Sequence, residues 1–228
     1  MADAFGLYIG NHALHLLQVG GTIQKPKVLS SHSVELPGLA PTNPEDLAQL
    51  KEPLKQLVAQ AKASSVQAHV TLSSEVAIVR YFQMPKLPVA DRTAAIRFEA
   101  KKYLPFKLDE LVSDSRVVLA RNEPNIMRVI FFAIKKNMVE GYLQLFKEAG
   151  IQALSMEMSL DSLSRVLKKS KQIEEKNTSA LILVDRDVAS IALVRGEMVY
   201  LARNITVLEN PAEATPGAQA AAPDNIYT

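Results

Sequence analysis

Residues 7–19 read LYIGNHALHLLQV. Apolar residues alternate up to Ile9, Gly10-Asn11 interrupts them, and a second apolar run starts at Ala13. Alternation on both sides of a Gly-Asn step is a hairpin signature, because both residues tolerate the backbone angles of a tight reversal. The pattern predicts paired strands over Phe5–Ile9 and Ala13–Val19. Such a turn can be a plain reversal or a loop that cradles phosphate. With His12 and His15 beside it, it can also be part of a metal site. Three residues apart suits one helix face; on a strand it sends two imidazoles to opposite faces. His32 and His69 complete the four histidines, and no spacing ties them to the first pair. No metal is expected, and surface histidines are the simpler reading.

Composition narrows the field. The 228 residues are 48% hydrophobic and 22% charged, which suits a packed globular chain rather than a disordered one. The formal net charge is +2, and acids interleave with bases in RFEAKK and KKSKQIEEK, so no basic stripe for nucleic acid forms. The absence of cysteine excludes disulfides, thiolate metal sites and a cysteine nucleophile. No apolar run reaches membrane-spanning length and MADAFGLYIG has no basic leader, so a cytoplasmic chain without membrane insertion is expected.

Outward from the hairpin, Lys27–Leu36 reads as a third strand and PGLAPTNPED as a loop. Asn43 and Pro44 make a helix start, and Leu47, Leu50, Leu54, Leu57 and Val58 give one apolar face up to about Lys62. Pro53 should kink that helix or mark a second start. VQAHVTLSS is a strand, VAIVRYFQMPKL another, and Val89–Leu104 an amphipathic helix stopped by Pro105. Strands follow near Leu111–Ala120 and Ile126–Ile134, then a helix over Lys135–Ala149 closed by Gly150. IQALSMEM completes a strand–helix–strand unit that suggests a parallel crossover, and a helix spans about Leu160–Lys169. KKSKQIEEKNTS reads as a linker to a last block of two or three strands, and residues 209–228, rich in alanine and proline, as a disordered tail.

The stretch MPKLPVADRTAAIRFEAKKYLPFKLDELVSDSRVV, followed without a gap by FFAIKKNMVEGYLQLFKEAGIQALSMEMSLDSLSRVL, resembles the PilM family of type IV pilus assembly proteins. The resemblance covers about residues 5–205 and implies an α/β fold of the actin-like ATPase (ribonuclease H-like) kind with an α+β insertion. Residues 1–74 and 150–170 would form actin-like subdomain 1A. Residues 75–149 would form inserted subdomain 1C, a β-α-β-β-α unit with two helices on one face of a three-stranded sheet. Residues 179–208 would begin the second lobe. Family members run further, so the chain reads as a truncated or fragmentary member.

Two phosphate loops accompany that fold, and both are degenerate here. The first reads D-I-G-S-x-S-I-K in the family. In this chain Tyr8 stands for the acid, Gly10 survives, Asn11, His12 and Ala13 replace hydroxyl positions and His15 replaces the lysine. The second keeps Asp185 but no glycine follows it, and Asp187 adds negative charge. Gly10, Asn11, His12 and Asp185 are thus the nominal cofactor positions, and no cofactor is expected there, ATP with magnesium being the alternative. No G-x-S-x-G elbow supports a serine nucleophile, so no enzyme is expected.

The resemblance implies a non-catalytic scaffold, peripheral at the inner membrane and in contact with other pilus assembly proteins there. It implies a groove between the first subdomain and the insertion that holds the N-terminal cytoplasmic segment of a PilN-like membrane protein. Tyr81-Phe82 and Phe131-Phe132 are adjacent aromatic pairs, so each strand presents aromatics on both faces. Those four side chains are core, or part of the groove's wall. Rival readings are an active actin-like ATPase, the cytoplasmic domain of a GspL-like type II secretion protein, and an FtsA-like filament protein.

Overall fold

The computed structural model describes residues 4–22, 25–36, 41–62, 66–119, 124–174, 176–185, 188–195 and 198–206. The expected tail at 209–228 lies outside them. Among the described residues three sheets carry the architecture. The first has five strands in the order β3-β2-β1-β4-β8: β1 Ala4–Ile9, β2 Ala13–Gly21, β3 Pro26–Glu35, β4 Val66–Leu72 and β8 Ile151–Met158. β1–β2–β3 are antiparallel, whereas β4 lies parallel to both β1 and β8. Alternation decides the faces: Leu7, Ile9, Leu14 and Leu16 are buried while His15 and Leu17 face out.

Helix α1, Lys51–Gln60, supplies Leu54, Leu57 and Val58 to that core. A short 3-10 helix, Pro44–Leu50, precedes it and adds Leu47 and Leu50. Pro53 therefore marks the second start: it lies in the first turn of α1, where a missing N–H breaks no intrahelical bond. Asn43 is extended at the head of the 3-10 helix, but its side chain caps nothing.

The second sheet, β5-β7-β6, consists of β5 Ile78–Pro85, β6 Leu111–Leu119 and β7 Ile126–Lys135, all antiparallel. Helix α2, Val89–Ala100, packs on it through Ile96 and Ala100, beside Phe82, Met127, Val129 and Phe131. Ile96→Ala is expected to cost about 2–5 kcal/mol in urea unfolding. A loss under about 0.5 kcal/mol, the surface range, would mean this helix faces elsewhere.

Two expectations are corrected here. Helix α3, Lys136–Glu148, does not join α2 on the second sheet. Its Met138, Tyr142, Leu145 and Phe146 are buried in the first core, with Leu47, Leu54 and Val70. And β8 pairs with β4, not with β7, so the parallel unit runs from β4 through the whole second sheet and α3 to β8. A 3.6-residue stripe shows that a helix has a buried face but not which sheet it meets. The helix expected over Val89–Leu104 gives way after Ala100 to a short 3-10 turn that carries Tyr103, 40% exposed, its ring stacked on Phe82 at 5.2 Å between centroids.

The third sheet, β11-β10-β9, is antiparallel: β9 Ser179–Asp185, β10 Val188–Arg195 and β11 Met198–Thr206. Helix α4, Ser159–Lys169, links the parts. Its Leu160, with Leu163 and Leu167, packs against Leu181, Ala192, Val194 and Val199. The polar segment after it is more than a linker, because Ile173 is buried in this same core. A polar knot ties the third sheet to the first. Ser74 Oγ, in the turn after β4, lies 2.9 Å from Ser190 Oγ and donates to Asn204 Oδ1 at 3.0 Å. Ser190 donates to the same oxygen at 2.8 Å. Among the described residues no helix is long and apolar enough to cross a membrane.

Candidate functional site

The first candidate is the β1–β2 turn. Gly10 N–H donates to Ala13 O at 3.0 Å, closing the reversal. Leu36 N–H donates to His12 O at 2.7 Å and Ser73 N–H to Ile9 O at 3.0 Å, so the tip is fastened on both sides. Asn11 is buried and His12 half-buried. A Cβ at Gly10 would stand 3.0 Å from Ala13 O and 3.0 Å from Tyr8 Cε1. A side chain at Gly10 would thus crowd both its own turn and the Tyr8 ring. Tyr8 in turn stacks with His15, 6.0 Å between centroids and 14° between planes. The positions of the family's acid and lysine have become an aromatic pair lying beside the turn. The two positions at which the family's loop carries its acid and its lysine thus hold Tyr8 and His15, which supply neither a carboxylate for magnesium nor an ammonium for phosphate charge. Asp185 ends β9, and its side chain lies outside the described residues together with Arg186 and Asp187.

The other histidines are apart from this turn. His69 Nδ1 lies 2.8 Å from Ser155 Oγ on β8, and His32 stands opposite Leu16 on β3. Among the described residues no group of three or more histidine or acidic side chains is placed to hold a metal ion.

The second candidate is the seam between the second sheet and the rest of the molecule. Register splits the aromatic pairs. Phe82 is opposite Val129 and Arg80 opposite Phe131, on the α2 face. Tyr81 is opposite Ile130 and Val79 opposite Phe132, on the other. Phe82 and Phe131 are 6% and 1% exposed inside the second core, which removes them from the partner-binding set. The physical reason is the two-residue period of a strand: in each adjacent pair only one ring can face away from α2.

Tyr81 and Phe132 do face away. The Tyr81 hydroxyl is buried against the backbone of Ala202 on β11 without a well-formed hydrogen bond, and burial pushes its pKa up. Ile130 beside it is buried, yet stands outside all three cores. Arg116, opposite Ile130 on β6, lays its guanidinium over the Phe132 ring at 5.6 Å and donates to Asp161 Oδ1 at 2.6 Å. Asp161 sits in the first turn of α4, 5% exposed. Burial raises its pKa, and the Arg116 charge opposes the rise. Behind it, Ser162 donates to Glu157 Oε1 at 2.6 Å, and Arg165 pairs with Glu157.

Sequence reasoning missed Arg116 and Asp161. An acid in a first helical turn already has an ordinary explanation in the helix dipole, and SDSRVVL looks like any half-exposed strand. Two lysines lie over aromatic rings: exposed Lys101 over the Phe98 ring at 5.8 Å and half-buried Lys135 over the Phe106 ring at 4.4 Å.

The family model for type IV pilus assembly protein PilM matches residues 6–205. The chain belongs to the PilM family. A PilM chain solved in a PilM–PilN type IV pilus biogenesis complex is similar over 89% of this chain and 61% of that one, at 26% identity and a TM-score of 0.74. The present chain therefore spans about three fifths of that PilM chain. The cytoplasmic domain of EpsL, an inner-membrane component of the Vibrio cholerae type II secretion system, is similar at 11% identity with a TM-score of 0.60. That likeness covers 90% of this chain and 71% of the EpsL domain, and shows the fold alone. No curated protein matches the chain. The fold is the actin-like one, as the PilM resemblance implied.

Proposed function

We propose that this PilM-family chain is a non-catalytic scaffold of the type IV pilus assembly platform, peripheral at the cytoplasmic face of the inner membrane. In this reading it holds the N-terminal cytoplasmic segment of a PilN-like membrane protein. The observation that carries the reading is the likeness to a PilM solved with PilN, over nine tenths of this chain. The seam supports it physically. The second sheet turns Tyr81 and Phe132 toward the body of the molecule instead of into its own core. In this reading an extended peptide along that seam takes Phe132 as an apolar anchor, and its backbone supplies the remaining contacts.

Fluorescence anisotropy with a synthetic peptide of the PilN N-terminus from the same organism tests this. Binding is expected to weaken only modestly with salt. Phe132→Asp is expected to weaken it at least tenfold, as loss of an interface anchor does. Unchanged binding in Phe132→Asp would place the site elsewhere.

The same reading has no nucleotide at the β1–β2 turn. Tyr8 stacked on His15 supports this, since these two residues stand at the sequence positions of the family's acid and lysine. Isothermal titration with ATP and magnesium is expected to show no heat of binding. Micromolar binding that Gly10→Val abolishes would overturn this part.

A further inference from the structure

We infer that Arg116 and Asp161 form a positioning pair that sets the angle of the second sheet and α2 against the rest of the molecule. The moving part has its own core, in which Phe82, Ile96, Met127 and Phe131 are buried between α2 and one sheet face. It can therefore turn as a unit without opening that core. Its other face meets α4 and β11 through a seam short of satisfied apolar packing. Ile130 is buried there, and the Tyr81 hydroxyl lies against the Ala202 backbone without a well-formed hydrogen bond. A contact of that kind contributes less to fixing one arrangement than a charge-assisted hydrogen bond does.

The directional contact is the guanidinium. It is held from one side by the Phe132 ring and from the other by a carboxylate that is 5% exposed. The carboxylate is buried while the guanidinium side chain is 39% exposed, so an arrangement that separates them leaves Asp161 as a buried charge without its partner and is penalised for that reason. α4 also carries Leu160 into the third core, so the angle of the second sheet and the seat of the third sheet are read by one helix.

The consequence for a ligand rests on the groove reading above: the groove keeps its width only while Arg116 holds Asp161. If unlatching cuts the competent population to a tenth, apparent affinity falls about tenfold with no contact to the peptide altered.

The test exploits the absence of cysteine. Spin labels at Thr93→Cys on α2 and Gln60→Cys on α1, both exposed, report the distance between the two bodies by pulsed electron resonance. The expected result is one narrow distance distribution in the parent chain and a broadened or shifted one in Arg116→Met and in Asp161→Asn. Arg116→Lys, which keeps the charge and the ring contact, is expected to restore most of the narrow peak. Asp161→Asn preserves side-chain shape and covers the case in which Arg116→Met does not fold. An unchanged distribution in both folded variants overturns the latch. Anisotropy with the PilN peptide is read on the same samples. A broadened distribution with unchanged affinity supports the latch and counts against the groove, whereas a tenfold loss with broadening supports both.

Discussion

Phe131→Ala is expected to lower the unfolding free energy by about 3–5 kcal/mol, read in urea, because it empties a fully buried site in the second core. Phe132→Ala, one residue along the same strand, is expected to cost about 1 kcal/mol, the typical effect of a substitution that makes no large cavity. The contrast matters more than either value. A strand slipped by one residue exchanges its two faces, so equal costs, or the reverse order, would show that β7 is paired in another register than Phe131 opposite Arg80.

Phe146→Ala is expected to cost about 3–5 kcal/mol as well, from a different core. Tyr142 and Phe146 stack on α3 with 5.8 Å between ring centroids, beneath the first sheet. The milder pair Phe131→Leu and Phe146→Leu then makes a double-mutant cycle. Residues in separate cores should add to within about 0.5 kcal/mol, while neighbours couple by 0.5–3 kcal/mol. A coupling above about 1 kcal/mol would return α3 to the second sheet, where its sequence position had suggested it belonged.

Much of the fold was legible because local patterns set it. The hairpin at Gly10-Asn11, the strand–turn–strand of residues 111–135 and the amphipathic stripe ending at Gly150 are each dictated by neighbours within a few positions. Gly150 adopts φ 75°, the left-handed value that its place after a helix predicts. What failed was long-range. Nothing local tells α3 which of two sheets to cover, or tells β8 to seek a partner some eighty residues earlier. The site divides in the same way. Alternation showed that each aromatic pair must split, but not which ring of each pair would face α2. Arg116 and Asp161 lie in separate segments and mean something only once β6 and α4 are side by side.

The pairing of β4 with β8 also has a consequence at the ribosome. When β4 emerges, β1, β2 and β3 already exist, but β8 waits for the whole stretch from Ser73 to Gly150, and α3 for most of it. At bacterial or eukaryotic elongation speeds of 5–20 residues per second this takes on the order of ten seconds. Throughout that interval the nascent sheet shows a bare strand, VQAHVTL, with neither lysine nor proline to blunt it. Val66, Ala68 and Val70, wholly buried in the finished molecule, also lack the cover of α3. The second sheet, being continuous in the chain, can close meanwhile. The first cannot, so synthesis leaves the edge at residues 66–72 open for longest.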